Sequence, residues 1–446
     1  MDHGAFVPNV IFGLNPMWVA VLVLLATYAV IITEKLNRSI IALLGAGLMI
    51  IVGVLNQEEA IKGVDFNTIA LLTGMMVLVA ISRKSGMFEY LAIWSAKKAK
   101  AEPWAILLLM SVTTAILSAF LDNVTTVLLI APVTLVIARE LKVAPYPFLF
   151  AEIFASNIGG TATLIGDPPN IIIGSQAGLS FNDFVINLTP VILVTMAVQA
   201  LATHLIWGRK MGTTPEAQAR VMALSERESI KDWPLLRSSL IVIGAVLISF
   251  VLARFLHLEP GTIAMFGAAV LLLLDNIEHH AEFQTENVQR TLSEVDWITI
   301  FFFVGLFMVV HGLEVTGFLK MLADQLVAFT GGDFAKTAYV ILWTSAVLSA
   351  IVDNIPFVAT MIPLIKAMAP AFGGPEHLMP LWWSLSLGAC LGGNGTLIGA
   401  SANLTVAGIA ERNGISFRFW DYTKLAFPLM LISVAISHVY IWLRYL

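Results

Sequence analysis

Apolar and polar positions in this chain are sorted on the scale of whole helices. Apolar runs approach the ~20 residues that a helix needs to span a bilayer. The pattern predicts spans over 17–33, 39–55 and 67–82, the first two parted by a charged turn at 34–38. Residues 86–100 mix aromatics with lysines at roughly helical spacing, as an amphipathic helix along the membrane interface would. The run at 104–139 is interrupted only at Asp122–Thr126, with no hydrophilic loop between its arms. It is either two spans joined by a turn or one re-entrant hairpin, and the tip residues, which are not loop-like, favour a hairpin with its tip near mid-membrane. The run at 148–178 is broken by a glycine pair and by Asp167-Pro168-Pro169-Asn170. Proline has no N–H to give to a helix ladder, so two half-helices with an unwound middle are expected. A span at 184–207 follows, then a polar linker at 208–237.

The same order then returns. Spans are expected at 238–256 and 261–275, a polar loop through Asp296, a span at 297–312 and an interfacial helix at 317–329. A second hairpin occupies 338–368, a second broken helix 381–409, and a last span 425–445. The resemblance between halves extends to motifs. Asp122-Asn123-Val124-Thr125-Thr126 is echoed by Asp353-Asn354-Ile355-Pro356-Phe357. The stretch from Ile158 to Asn170 is echoed by Leu391 to Asn403, at an offset that agrees within two residues. Val64-Asp65-Phe66 matches Val295-Asp296-Trp297, and Ser85-Gly86-Met87-Phe88 matches Thr316-Gly317-Phe318-Leu319. Five crossings plus a hairpin per half is an odd number, which makes the halves (17–207 and 238–446) an inverted repeat. Interrupted apolar segments in corresponding places of two halves are the best sequence pointer to a transporter's binding site.

Composition agrees. Of 446 residues 58% are hydrophobic and 12% charged, against about 25% charged in soluble domains. This is an all-α polytopic membrane protein. Most lysines and arginines fall in loops on one side if the N-terminus lies outside. The positive-inside rule therefore puts both termini outside and the linker in the cytoplasm. The first sixteen residues lack a basic stretch, so no cleaved signal peptide is expected. The lone cysteine, Cys390, excludes an internal disulfide and a Cys-rich metal site. The histidines show no metal-ligand spacing beyond the adjacent His279-His280, and no basic run suggests nucleic acid. Nothing resembles a P-loop, a zinc-protease motif or a nucleophile elbow. No enzyme, metal or cofactor is expected. Uphill transport would draw on an ion gradient or on a separate soluble ATPase subunit.

Asp122, Asp167 and Asp353 stand in apolar sequence, where each would cost roughly 2.5–3.5 kcal/mol at a helix centre. Each is a candidate cation ligand or proton carrier. The competing role is structural, an aspartate capping the half-helix that starts there. Asn123, Asn354, Asn157, Asn170, Asn394 and Asn403, with Thr125, Thr126, Thr163, Thr396 and Ser401, supply neutral donors and acceptors for a solute or an ion. Interhelical hydrogen bonding is their ordinary alternative. Gly159-Gly160 and Gly392-Gly393 allow close backbone approach. Cys390, beside the second pair, is either a soft solute contact or a small packed residue.

Asp-Asn-Val-Thr-Thr at 122–126, and Asn157-Ile-Gly-Gly followed by Gly166-Asp-Pro-Pro-Asn, resemble the ion transporter superfamily. Within it they are similar to the branch of arsenite permeases, NhaD-type sodium–proton antiporters and the melanosomal P protein. The resemblance spans essentially the whole chain. It implies an inner-membrane homodimer surrounded by lipid. Scaffold helices (17–82 and 238–312) would form the dimer contact, and a transport domain (103–207 and 338–446) would move elevator-fashion. It places Asp122, Asn123, Asn157, Asp167 and Thr163 on one side of the site, and Asp353, Asn354, Asn394, Thr396, Ser401 and Asn403 on the other. In the dicarboxylate and citrate branch Ser-Asn-Thr usually occupies the hairpin tip. Aspartates stand there here, which speaks against an anionic cargo. Ala400 replaces the first half's Asp167, so one strong cation position is expected, on the Asp122/Asp167 side. The expected activity is proton-coupled efflux of arsenite or antimonite, with sodium–proton antiport as the alternative. A citrate transporter or an anion channel is more distant.

Overall fold

The computed structural model describes residues 6–33, 35–277 and 279–446; Glu34, part of the charged turn read from the sequence, lies outside them. The regular secondary structure of the described residues is all helical. The first half holds α1 (Pro16–Ile32), α2 (Arg38–Ile51), the short α3 (Gln57–Lys62), α4 (Phe66–Lys84) and α5 (Met87–Lys98). These are followed by α6 (Pro103–Phe120), α7 (Asn123–Leu141), α8 (Tyr146–Thr161), α9 (Pro168–Ala177) and α10 (Phe181–Ile206). After α11 (Pro215–Met222) the second half brings α12 (Trp233–Leu256), α13 (Pro260–Asn276), α14 (Ala281–Ser293), α15 (Trp297–Val315) and α16 (Phe318–Phe329). It ends with α17 (Phe334–Ile351), α18 (Asn354–Ala367), α19 (Met379–Gly392), α20 (Ser401–Arg412) and α21 (Phe419–Tyr445). Eight of the described helices are long and apolar enough to cross a membrane.

Helix starts explain the echoes between halves. Asp65 and Asp296 cap α4 and α15, accepting backbone N–H groups one turn in. Such a cap satisfies donors that no helix can pair internally. Gly86 and Gly317 precede α5 and α16 with φ of 82° and 80°. That left-handed backbone suits glycine and turns the chain sharply out of the preceding span.

Two packing groups result. In one, α4 packs on α13 and α2 on α15. In the other, α6 packs on α8 and α17 on α19, with α7, α9, α18 and α20 beside them, α10 against α8 and α21 against α19.

Several boundaries move from the sequence reading. The polar stretch 208–237 is not a free tether. It holds α11, and its last residues already belong to α12. Ala217 and Val221, one turn apart, are fully buried against the hairpin arm α7 and helix α5. Lys97 pairs with Glu226 at 2.6 Å and Arg220 with Glu140 at 3.2 Å. The polar loop before Asp296 likewise contains α14, amphipathic rather than apolar, which is why hydropathy alone passes over it.

Candidate functional site

Both hairpins turn within two residues. Helix α6 ends at Phe120 and α7 begins at Asn123; α17 ends at Ile351 and α18 begins at Asn354. Asp122 and Asp353 are the caps of the returning arms. Asp122 accepts from the Thr125 backbone N–H at 2.8 Å and from the Thr125 hydroxyl. Asp353 accepts from the Ile355 N–H at 3.1 Å. The structural role considered for these residues is therefore present in both.

The broken helices open between Thr161 and Pro168 and, through two short 3-10 turns, between Gly392 and Ser401. Their unwound carbonyls are paired by matched side chains. The Asn170 amide donates to the carbonyls of Thr161 at 3.0 Å and Thr163 at 2.9 Å. The Asn403 amide donates to those of Gly393 and Thr396, both at 2.8 Å. Thr163 and Thr396 donate to the carbonyls of Ala119 and Ala350 at the ends of the entering hairpin arms. Asn157 joins the halves: its amide donates to Asn394 Oδ1 and Asn403 Oδ1, each at 2.9 Å, and its own carbonyl accepts from Asn123 at 3.0 Å. The glycine pairs let this knot close. A Cβ on Gly159 would sit 2.2 Å from the Ala115 carbonyl oxygen, and one on Gly392 2.5 Å from that of Ala346. Gly160 and Gly393 lie against the carbonyls of Gly166 and Gly399.

Asp167 is different. It occupies the N-cap position of α9 with φ −143° and ψ 132°, yet caps nothing. Its side chain is buried, and no hydrogen bond from the described residues reaches either carboxylate oxygen. The Cys390 thiol and the Asn354 amide stand beside it. At the corresponding place in the second half, Ala400 has nearly the same backbone, φ −150° and ψ 143°.

A cavity of about 160 Å³ reaches this carboxylate between α4, α15 and the hairpin tips. Of the residues expected at a site, Asp122, Asn123, Thr125, Asp167, Asn354 and Ser401 line it. Asn157, Asn170, Asn394, Asn403, Thr163 and Thr396 are buried behind the wall and engaged with backbone or with one another, and Thr126 is buried as well. Cys390 is also buried, its thiol 3.6 Å from Asn170 Oδ1. Asp353 lines a separate crevice of about 350 Å³ with Arg38 and Ser401.

Arg38 is the residue that sequence reasoning missed. Its Nη1 donates to Asp353 Oδ2 at 2.9 Å and to Ser401 Oγ at 2.7 Å, and its Nη2 to Thr299 Oγ1 at 2.9 Å. Thr299 in turn donates to Asp296. Read along the chain, Arg38 was only one more positive charge in a short loop. Asp296, Glu294 and Arg83 also line the first cavity. The signal for Asp296 was its echo of Asp65.

Comparison with known proteins agrees with this architecture. The 46 kDa membrane protein of Mycobacterium leprae is 43% identical, over 96% of this chain and 99% of that protein. An uncharacterized transporter of Mycobacterium tuberculosis is 42% identical over 96% and 98%. The P protein of Homo sapiens is 33% identical over 95% of this chain and 59% of its own length. Among solved structures, the Alcanivorax borkumensis YdaH transporter covers 97% of this chain and 99% of its own with a TM-score of 0.60 at 14% identity, which speaks for the fold alone. The profile of the citrate transporter family, CitMHS, matches residues 28–388. The chain belongs to this citrate transporter family and is a multi-pass membrane transporter.

Proposed function

We propose that the protein is a proton-coupled secondary transporter in which Asp167 is the group that exchanges a proton for cargo. The observation that carries this is the state of Asp167: a buried carboxyl at the end of a cavity, between unwound backbone segments, with no hydrogen bond to either oxygen. A carboxyl that capped a helix or closed a turn would be committed to that task. This one is free to bind a proton or a cation, and Ala400 marks the second half as lacking an equivalent.

In this reading the halves are inverted repeats, with both termini outside and the linker in the cytoplasm. The α2/α4/α13/α15 core is the scaffold of a homodimer in the cell's inner membrane. The hairpins and broken helices move against it, elevator-fashion, to give alternating access. The helix ends bearing Arg38 and Arg83 face the cytoplasm in this reading, so the cavity described here opens inward.

The wall of the cavity supports a reading of the cargo. Asp122, Asp167, Glu294 and Asp296 face it against Arg38 and Arg83, and Arg38 is already paired with Asp353. Such a surface attracts a monovalent cation and repels a tricarboxylate. This supports sodium–proton antiport as the first reading. It moves arsenite or antimonite efflux to second place, because most of the amides counted toward a neutral solute are spent on the unwound backbone. The second reading is kept by one contact, the Cys390 thiol beside Asp167.

Proteoliposomes under an imposed pH gradient, with an entrapped pH-sensitive dye, test both. Sodium dissipates the gradient in the first reading, arsenite in the second, and Asp167→Asn abolishes either response. Wild-type rates in Asp167→Asn, or no response to either solute in the native protein, overturn the proposal.

A further inference from the structure

Arg38 is the first residue of α2, in the helix core, whereas Asp353 and Ser401 stand at the starts of α18 and α20. Its guanidinium is divided between the two groups. Nη2 is held on the core side by Thr299, and the ring of Phe302 lies 5.1 Å beneath it. Nη1 reaches across to Asp353 and Ser401. Among the described residues it is the cation paired with Asp353. Asp122, at the equivalent tip of the first hairpin, forms no ion pair among the described residues and is held by Thr125. The pair is not sealed off: its side chains keep 26% and 17% of their exposure, on a crevice whose other walls are mostly apolar, among them Ile32, Leu36, Ile351 and Leu404.

We propose that Arg38 is a tethered counter-cation that clears Asp353 of a proton in each cycle, which makes Asp353 a second exchanging carboxyl beside Asp167. The inference rests on the alternating-access reading above. When the second hairpin moves relative to α2, Asp353 leaves the guanidinium. A bare carboxylate at hydrophobic depth is costly, so in that state it takes a proton from the water it faces. When the hairpin returns, Arg38 re-forms the charge-assisted pair. The carboxyl O–H bond breaks, and the proton leaves through the crevice. Because Thr299 and Phe302 hold the guanidinium ready, the exchange needs no rearrangement of the core. Loading and release of this proton are thereby tied to position.

The test needs no cargo. Dicyclohexylcarbodiimide modifies protonated carboxyls at hydrophobic depth, and peptide mass spectrometry reads the adduct on Asp353 and Asp122 separately. In purified protein near pH 7, labelling of Asp353 is expected to rise at least tenfold in Arg38→Gln. It should stay near the native level in Arg38→Lys, and Asp122 labelling should be unchanged in both. Equal labelling of Asp353 in native protein and Arg38→Gln overturns the proposal. So does a parallel rise at Asp122, which would mean general loosening. A failed sodium or arsenite experiment leaves this readout intact, so the two proposals fail separately.

Discussion

Asp167→Ala is the most informative single change, because the chain carries its own precedent in Ala400. The two N-caps share their backbone conformation, and neither makes a side-chain cap bond. The substitution therefore removes no cap bond and forces no change of φ or ψ. It deletes a carboxyl whose insertion at a helix centre costs roughly 2.5–3.5 kcal/mol. Against this stands the small cavity left by the lost atoms, about 1 kcal/mol. The net expectation is a stabilisation of about 2 kcal/mol. Unfolding entropy of about 2.1 cal/mol/K per residue over 446 residues is close to 0.9 kcal/mol/K. The melting temperature should therefore rise by about 2 °C. Nearly every other buried polar substitution in this region should lower it. The assay is thermal unfolding of detergent-solubilised protein followed by intrinsic fluorescence, with proton movement measured on the same preparation in liposomes. A variant that is more stable and inactive fits a carboxyl retained for exchange. A melting temperature lowered by several degrees would show that Asp167 holds the fold, and the reasoning would fail.

Other expectations follow from the same geometry. Gly159→Ala and Gly392→Ala each drive a methyl into a hairpin carbonyl, at 2.2 Å and 2.5 Å. Each should cost about 1–3 kcal/mol or more, read as a fall in melting temperature, with the first the worse. Asn157→Ala leaves Asn123 Nδ2, Asn394 Oδ1 and Asn403 Oδ1 without their partner, each worth about 1–3 kcal/mol, and should cost about 3 kcal/mol or more in the same measurement. In the linker, the hydrogen bond from Lys97 holds the Glu226 carboxyl below its ordinary range. Its contribution is present above the unfolded-state value and lost as pH falls through the folded one. Protection of the 215–222 amides, measured against their intrinsic exchange rate at each pH, should fall in that acid window, and in Glu226→Gln it should be low already at neutral pH. Protection that is flat with pH and unaltered in the variant would remove this contact from the account.

Much of the architecture could be read along the chain, for physical reasons that can be named. Prolines and glycines inside apolar runs have few explanations, so the breaks at 162–167 and 393–400 were visible. Aspartates before apolar runs announced α4, α15 and the returning hairpin arms. What could not be read was which way the polar groups face. Asn170 and Asn403 have the residue type, spacing and duplication expected of binding residues. Their amides instead satisfy the carbonyls that the missing helical turns leave open, a task set by the same unwinding that makes a site. Asp167 carries no such task among the described residues. Arg38 was illegible for the opposite reason. A loop arginine reports orientation whatever it touches, and its partners lie more than 250 positions away. The linker's Ala217 and Val221 did show an apolar stripe one turn apart, too short to outweigh the charges around it.

The Asn157 knot bears on how the chain is made. Its amide donates to Asn394 and Asn403, both in the second half of the chain. A nascent chain that has emerged as far as Trp207 holds a first broken helix whose central amide still lacks its acceptors. The first half therefore has to wait, inserted but unfinished, until almost the whole second half has left the ribosome. A protein truncated before Asn394 should be cleared by membrane quality control even though every apolar segment upstream is intact.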